Sequence, residues 1–414
     1  MLRESIPDMP TLMIFLRYCL LCLVFLALPA CSRQDSSGSE SKPAASRKTV
    51  QYSAVADVPE GSRKNAETFA RRLEESIRKD DSTEIQIAFN SAAIVDAICE
   101  GVTASGLRMN QFKAGMQKGI QKSFTQVGSV WSGQSPKFKG LAIYQGDLAT
   151  RFRFVSEDGG ISVFDLVVRT NRQGRLAIVN FCNHAMGYDL VEQSRQAAIP
   201  MLAELDKSFL ERVFNKPGMT AAQMKDFGAL AEKVRSGDAE GATLIYQGLP
   251  DQLRNTMAAT GLYIAILQRS GETETYKQGL KDAAARFDSG SFQFMLVDVY
   301  AMDKDFAKAA ACVDAFMKVV GRDAALLTLK SLMLNAKGDV SAARESLREA
   351  LEMEPDCIYV HSKGLDVLLA AKDFAAVRDS MLFLEKMGGH DFKGQLTDPL
   401  WNEFRKAPES QPWR

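Results

Sequence analysis

Apolar positions near the start of the soluble sequence recur at fourfold spacing: Phe69, Leu73 and Ile77 fall on one face of a helix predicted over Ala66 to Arg78. The next segment carries Ile85, Ile87, Phe89, Ile94, Val95 and Ile98 and reads as a second amphipathic helix. A third, from Met109 to about Val130, places Phe112, Met116, Ile120 and Phe124 on one side. The period then changes. Gly140 to Tyr144, Ala149 to Val155, Ile161 to Arg169 and Arg175 to Cys182 are short β-rich runs. Gly146-Asp147, Asp158-Gly159-Gly160 and Asn171-Arg172-Gln173-Gly174 separate them and have the composition of hairpin turns, so an antiparallel meander follows. Helices folded onto a curved antiparallel sheet make an α+β domain, expected over residues 63–207.

This order of elements resembles the cone-shaped nuclear transport factor two-like fold. That fold hosts both enzymes and binding domains, so the chemistry has to be sought in individual residues. On the last strand, strict alternation puts Asn180, Cys182 and His184 on one face, continuing the row of Leu176 and Ile178, with Asp189 and Glu192 just beyond. These three residues are the candidate pocket of the domain. A Cys-His pair there has the composition of a nucleophile with its base, or of two metal ligands. A strand end turning polar as it leaves the sheet accounts for the same residues, and a single histidine falls short of a zinc site. Asp158-Gly159-Gly160 lies between strands rather than before a helix, so it lacks the geometry of a phosphate-cradling loop. No catalytic residue, metal or cofactor is expected.

From about Met219 onward the pattern switches to short paired helices with a fixed step. Tyr300, Phe306 and Ala309 recur 34 residues on as Leu334, Val340 and Ala343, and again as Leu368, Phe374 and Val377. Lys304-Asp305, Gly338-Asp339 and Lys372-Asp373 mark the same turn in each copy. The middle unit has small Ser331 in its first helix, Gly338 at the turn, Ala343 and Ala350 where the second helix crosses the first, and Pro355 at its end. It resembles a tetratricopeptide repeat, although Lys330 stands where that family prefers an aliphatic residue and the first-helix Trp is absent. The alternative is a helical bundle without repeats.

The resemblance implies an all-α solenoid of stacked helical hairpins over residues 217–388, with a concave groove that binds a protein or peptide partner. Gln293, Asp298, Lys330 and Asn335 are the candidate groove residues, taken as exposed polar positions on first helices. A merely solvated face is the competing account of each. The segment 389–414, with Leu396, Leu400, Trp401 and Phe404, is expected to cover the apolar end of the last pair; Trp401 in a partner-binding motif is the alternative.

The N-terminal thirty residues have a different character. Tyr18 to Ala30 form an apolar run of signal-peptide length ending in Leu28-Pro29-Ala30-Cys31. That tetrapeptide resembles a bacterial lipobox, which implies cleavage after Ala30, lipidation of Cys31 and attachment to a membrane of the cell envelope. Ser32 after the cysteine resembles lipoproteins sent to the outer membrane, on its periplasmic side. Glu4 and Asp8 precede the run, so Met9 or Met13 are alternative starts, and an ordinary signal peptide is the alternative to the lipobox. Residues 31–62 are rich in Ser, Lys, Ala and Pro and read as a tether with a coil dimension of roughly 30 Å.

Composition narrows the function. The chain has 414 residues, 46% hydrophobic and 25% charged, with 51 basic and 51 acidic residues, so no summed field favours nucleic acid. Three histidines leave little imidazole for acid-base chemistry. Cys99, Cys182, Cys312 and Cys357 follow the leader; buried thiols are expected, while Cys99–Cys182 and Cys312–Cys357 are the disulfides an oxidising compartment would permit. The expected function is a membrane-anchored, non-enzymatic interaction scaffold. The alternative is a cone-shaped domain that binds or transforms a small ligand, with the repeats recruiting a partner.

Overall fold

The computed structural model describes residues 51–205 and 226–413, apart from positions 104, 132–133, 157–158, 172–173, 186, 227–228, 231, 235 and 288–289. Residues 1–50, which hold the expected signal sequence, Cys31 and most of the expected tether, lie outside the described residues. The described residues divide into two compact units, one gathering residues 51–154 with Ser162–Gly279, the other Leu280 onward with Val155–Ile161.

In the first unit, α1 (Glu60–Arg78) buries Ala66, Phe69, Ala70, Leu73 and Ile77, the face that the fourfold spacing marks. The expected second helix is two: α2 (Ser82–Ala88) and α3 (Ser91–Ile98). Asn90 breaks them apart because its side chain is a good N-cap, accepting from the Ala93 backbone N–H at 3.1 Å. Its own N–H donates to the Ile178 carbonyl at 2.9 Å, which ties the break to the sheet. The long α4 (Leu107–Trp131) buries Met109, Phe112, Met116, Ile120, Phe124 and Trp131.

The strands β1 (Ser135–Tyr144), β2 (Asp147–Val155), β3 (Ile161–Thr170), β4 (Leu176–Asn183) and the two-residue β5 (Tyr188–Asp189) pair in sequence order. Gln145 and Gly146, both at positive φ (50° and 86°), make the tight β1–β2 turn. One face of the sheet packs Phe152, Phe154, Phe164, Leu166, Ile178 and Phe181 against the helices. The aromatic rings fill that core: Phe89 stacks on Phe124 at 3.9 Å between centroids and Trp131 on Phe154 at 5.1 Å. After β5, α5 (Leu190–Leu205) follows, then α6 (Ala239–Gly248), α7 (Asp251–Arg254), α8 (Met257–Ser270) and α9 (Thr273–Arg286).

The second unit is helical. Its helices α10 (Gly290–Met302), α11 (Phe306–Val320), α12 (Ala324–Ala336), α13 (Val340–Met353), α14 (Ile358–Ala370) and α15 (Phe374–Gly388) start at matching positions of the 34-residue step. Ala309, Ala343 and Val377, the predicted crossing positions of the second helices, are all fully buried. The C-terminal segment packs back on α15: Trp401 and Phe404 are fully buried, Phe404 lies 5.8 Å from the Phe374 ring, and Trp413 Nε1 donates to Glu385 at 2.6 Å. Trp401 is therefore a packing residue.

Candidate functional site

Each helix pair of the second unit is closed by the same small structure. The residue before the capping Asp takes positive φ, 56° at Lys304, 89° at Gly338 and 54° at Lys372. The Asp N–H then reaches back to the carbonyl five residues earlier: Asp305 to Tyr300 at 2.7 Å, Asp339 to Leu334 at 3.0 Å and Asp373 to Leu368 at 3.0 Å. Its side chain caps the following helix, accepting from Lys308 N at 3.2 Å, Ala342 N at 3.2 Å and Ala376 N at 3.4 Å. Tyr300, Leu334 and Leu368, chosen by the 34-residue recurrence, are thus the acceptors of the turn that closes each pair. Between pairs, Gly364 on α14 approaches Leu347 on α13 so closely that a Cβ there would lie 2.8 Å from a Leu347 methyl.

The candidate groove residues have different surroundings. Lys330 is half-buried and paired with Asp314 on α11 at 2.8 Å. Gln293, also half-buried, reaches the Ala284 carbonyl at 3.5 Å, and Asn335 is half-buried with its backbone carbonyl engaged by Gly338. Asp298 departs from the expectation of an exposed position, being only 5% accessible. The reason is α10 itself: Phe292, Phe294, Leu296, Val297 and Val299 are all buried as well, so this helix has no polar face on which Asp298 could sit.

On the sheet, Asn180, Cys182 and His184 do not continue the row of Ile178. A bulge between Val167 and Val168 shifts the register: Val168 pairs with Ile178, but Val167 pairs with Asn180 and Asp165 with Cys182. The extra residue flips the alternation. Ile178 and Phe181 enter the aromatic core, and Cys182 shares the opposite face with its partner Asp165.

Sequence reasoning missed the residue that organises this face. Asp165, 1% exposed, accepts from Arg151 Nε at Oδ1 and from Nη2 at Oδ2, 2.7 Å each, and His184 Nε2 also lies 2.7 Å from Oδ2. Burial alone would raise the Asp165 carboxyl, but the hydrogen bonds from Arg151 and His184 outweigh it and hold it down at about 2. A carboxylate in the middle of the apolar run Val163 to Val168 was the available signal. Beside this trio, Tyr144 Oη donates to Asp189 at 2.7 Å and Asn180 Nδ2 to the same oxygen at 2.9 Å, while Asp189 caps α5 through Glu192 N at 2.8 Å. Burial pushes the Cys182 thiol up to about 12, against the lowering effect of its hydrogen bond with Tyr144. A thiol kept protonated beside a tyrosine, with His184 tied to Asp165, is not arranged as a nucleophile and its base. These contacts link β2 to β3, and β1 and β4 to Asp189 at the start of α5.

Among the described residues Cys99, Cys182, Cys312 and Cys357 form no disulfide; the first three are buried and the last half-buried. Among the described residues no group of three or more His, Cys, Asp or Glu side chains is placed to hold a metal, and no helix is long and apolar enough to cross a membrane. No family model matches this chain, and neither the curated proteins nor the solved structures contain a match.

Proposed function

We propose that this protein is a membrane-anchored, non-enzymatic interaction scaffold whose second unit stacks tetratricopeptide-like hairpins around a groove for a protein or peptide. The observation that carries this reading is the turn repeated at 304–305, 338–339 and 372–373, with the same backbone bond and the same Asp cap each time. Identical turns at a fixed step orient successive hairpins alike, and hairpins oriented alike stack into an extended surface rather than closing into a bundle. Lipidation of Cys31 would tether that surface to the cell envelope, with the outer membrane as the proposed site. The alternative of a ligand-binding cone draws no support from Asn180, Cys182 and His184, which lie off the aromatic core.

Two measurements test the proposal. A photo-crosslinking residue at Asn335 or Gln293 of the full chain is expected to capture one and the same partner, and one at Lys318, exposed on a second helix, to capture none. Equal capture at all three positions, or none, would overturn the groove reading. For the anchor, Cys31→Ala should abolish metabolic labelling by fatty acid and release the chain from membranes; attachment that persists without label refutes the lipobox.

A further inference from the structure

Asp298 is the one acidic side chain of α10, on a helix whose Phe292, Phe294, Leu296, Val297 and Val299 are all buried. Among the described residues it has neither a hydrogen-bond nor an ion-pair partner, at 5% exposure. On α9 and α11, the helices on either side of α10 in sequence, most charged groups are engaged with other partners. On α11, Lys308 is paired with Asp305 at 2.7 Å, Asp314 with Lys330 at 2.8 Å, and Lys318 is exposed. Cys312, on the same helix, is a buried thiol raised to about 11 and therefore neutral. On α9, Lys281 pairs with Asp303 at 3.1 Å, Arg286 lies over the Phe287 ring and Asp282 has an interaction of its own. On α10 itself, Tyr300 lies under Lys308 Nζ at 5.4 Å. An ionised carboxylate with so little access to water and no countercharge is strongly disfavoured there relative to the neutral acid.

We propose that Asp298 makes α10 a pH-sensitive latch: the neutral carboxyl lets the helix dock on α11, and loss of its proton undocks it. Burial pushes the Asp298 carboxyl up to about 8. Its folded-state value is above the unfolded one, so the folded state holds a proton that the unfolded state has released. Docking is then strongest in the acid range and weakens as pH rises towards 8. The latch differs from a generally unstable helix in being local and in depending on one proton. It stands independently of the proposed groove and anchor.

The test is amide hydrogen exchange of the full chain at pH 6 and pH 9, corrected for the intrinsic pH dependence of exchange. Peptides from Gly290–Met302 are expected to lose protection about tenfold or more at the higher pH, while those from Val340–Met353 keep theirs. Asp298→Asn, close in shape and without a titrating proton, should abolish the loss, and Asp298→Leu should leave the helix protected at both pH values. Unchanged protection of Gly290–Met302 in the unmodified chain, or the same loss in either variant, would overturn the proposal.

Discussion

Gly364→Val examines the stacking of one helix pair on the next. A Cβ at Gly364 would meet Leu347 Cδ1 at 2.8 Å and Cδ2 at 2.9 Å, closer than real Cβ atoms come, and Leu347 is fully buried with little room to give. Overpacking of this kind costs roughly 1–3 kcal/mol, and replacing Gly by Val inside a helix returns only about 0.4 kcal/mol of propensity. A net loss of about 1–3 kcal/mol is expected. Gly364→Ala, with one carbon and about 1 kcal/mol of propensity gained, should stay within about 1 kcal/mol of the unmodified chain. Leu347→Ala alone should cost about 2–5 kcal/mol through the cavity it leaves. In the double variant the valine enters that cavity, so the combined loss should fall short of the sum by about 1–2 kcal/mol. The assay is urea unfolding of the full chain in a Trp131→Phe background. The remaining two of the three tryptophans, Trp401 and Trp413, then report on the second unit alone. Additive losses, or a neutral Gly364→Val, would refute the close approach of α13 and α14.

The same assay reads the turns: Asp305→Ala, Asp339→Ala and Asp373→Ala should each cost about 1 kcal/mol, the usual value of a lost N-cap. Because Lys304 and Lys372 hold positive φ at 56° and 54°, Lys304→Gly and Lys372→Gly should stabilise by up to about 1 kcal/mol, and Gly338→Ala should destabilise by a similar amount. If glycine is no better than lysine at those sites, the turn is not left-handed there. Asp165→Asn breaks a buried ion pair and should cost the first unit about 3–5 kcal/mol, read by Trp131 fluorescence. With the Asp165 carboxyl held at about 2, its contribution is complete above the ordinary carboxylate range and is lost as pH falls through 2. A first unit equally stable at pH 5 and pH 2 would contradict that pairing.

The helix pairs were legible because a repeat states the same instruction several times. Any one Lys-Asp or Gly-Asp pair is a common dipeptide, but three at a 34-residue step, each followed by a crossing position that accepts only a small or branched side chain, constrain one another. The burial of Asp298 was not legible for a related reason. Periodicity assigns a direction to a polar residue only when the helix has a polar side, and α10, apolar all round, gives no phase from which to read where position 298 points.

The sheet shows the opposite limit. Alternation is a rule about parity, and a single inserted residue reverses it for everything that follows. In β4 the inserted residue is Val179, as apolar as its neighbours and with no glycine to mark a bulge, so counting by twos from Leu176 carried Asn180 and Cys182 to the wrong face. Phe181 held the contrary signal. A large aromatic side chain placed opposite Ile178 by strict alternation would have been left off a core built from Phe152, Phe154 and Phe164, whereas a bulge returns it there and turns Cys182 towards Asp165. The polar face follows from that one residue. Once Cys182 is opposite Asp165, His184 and Arg151 become its neighbours, and the buried carboxylate that looked out of place among apolar strand residues acquires its two donors.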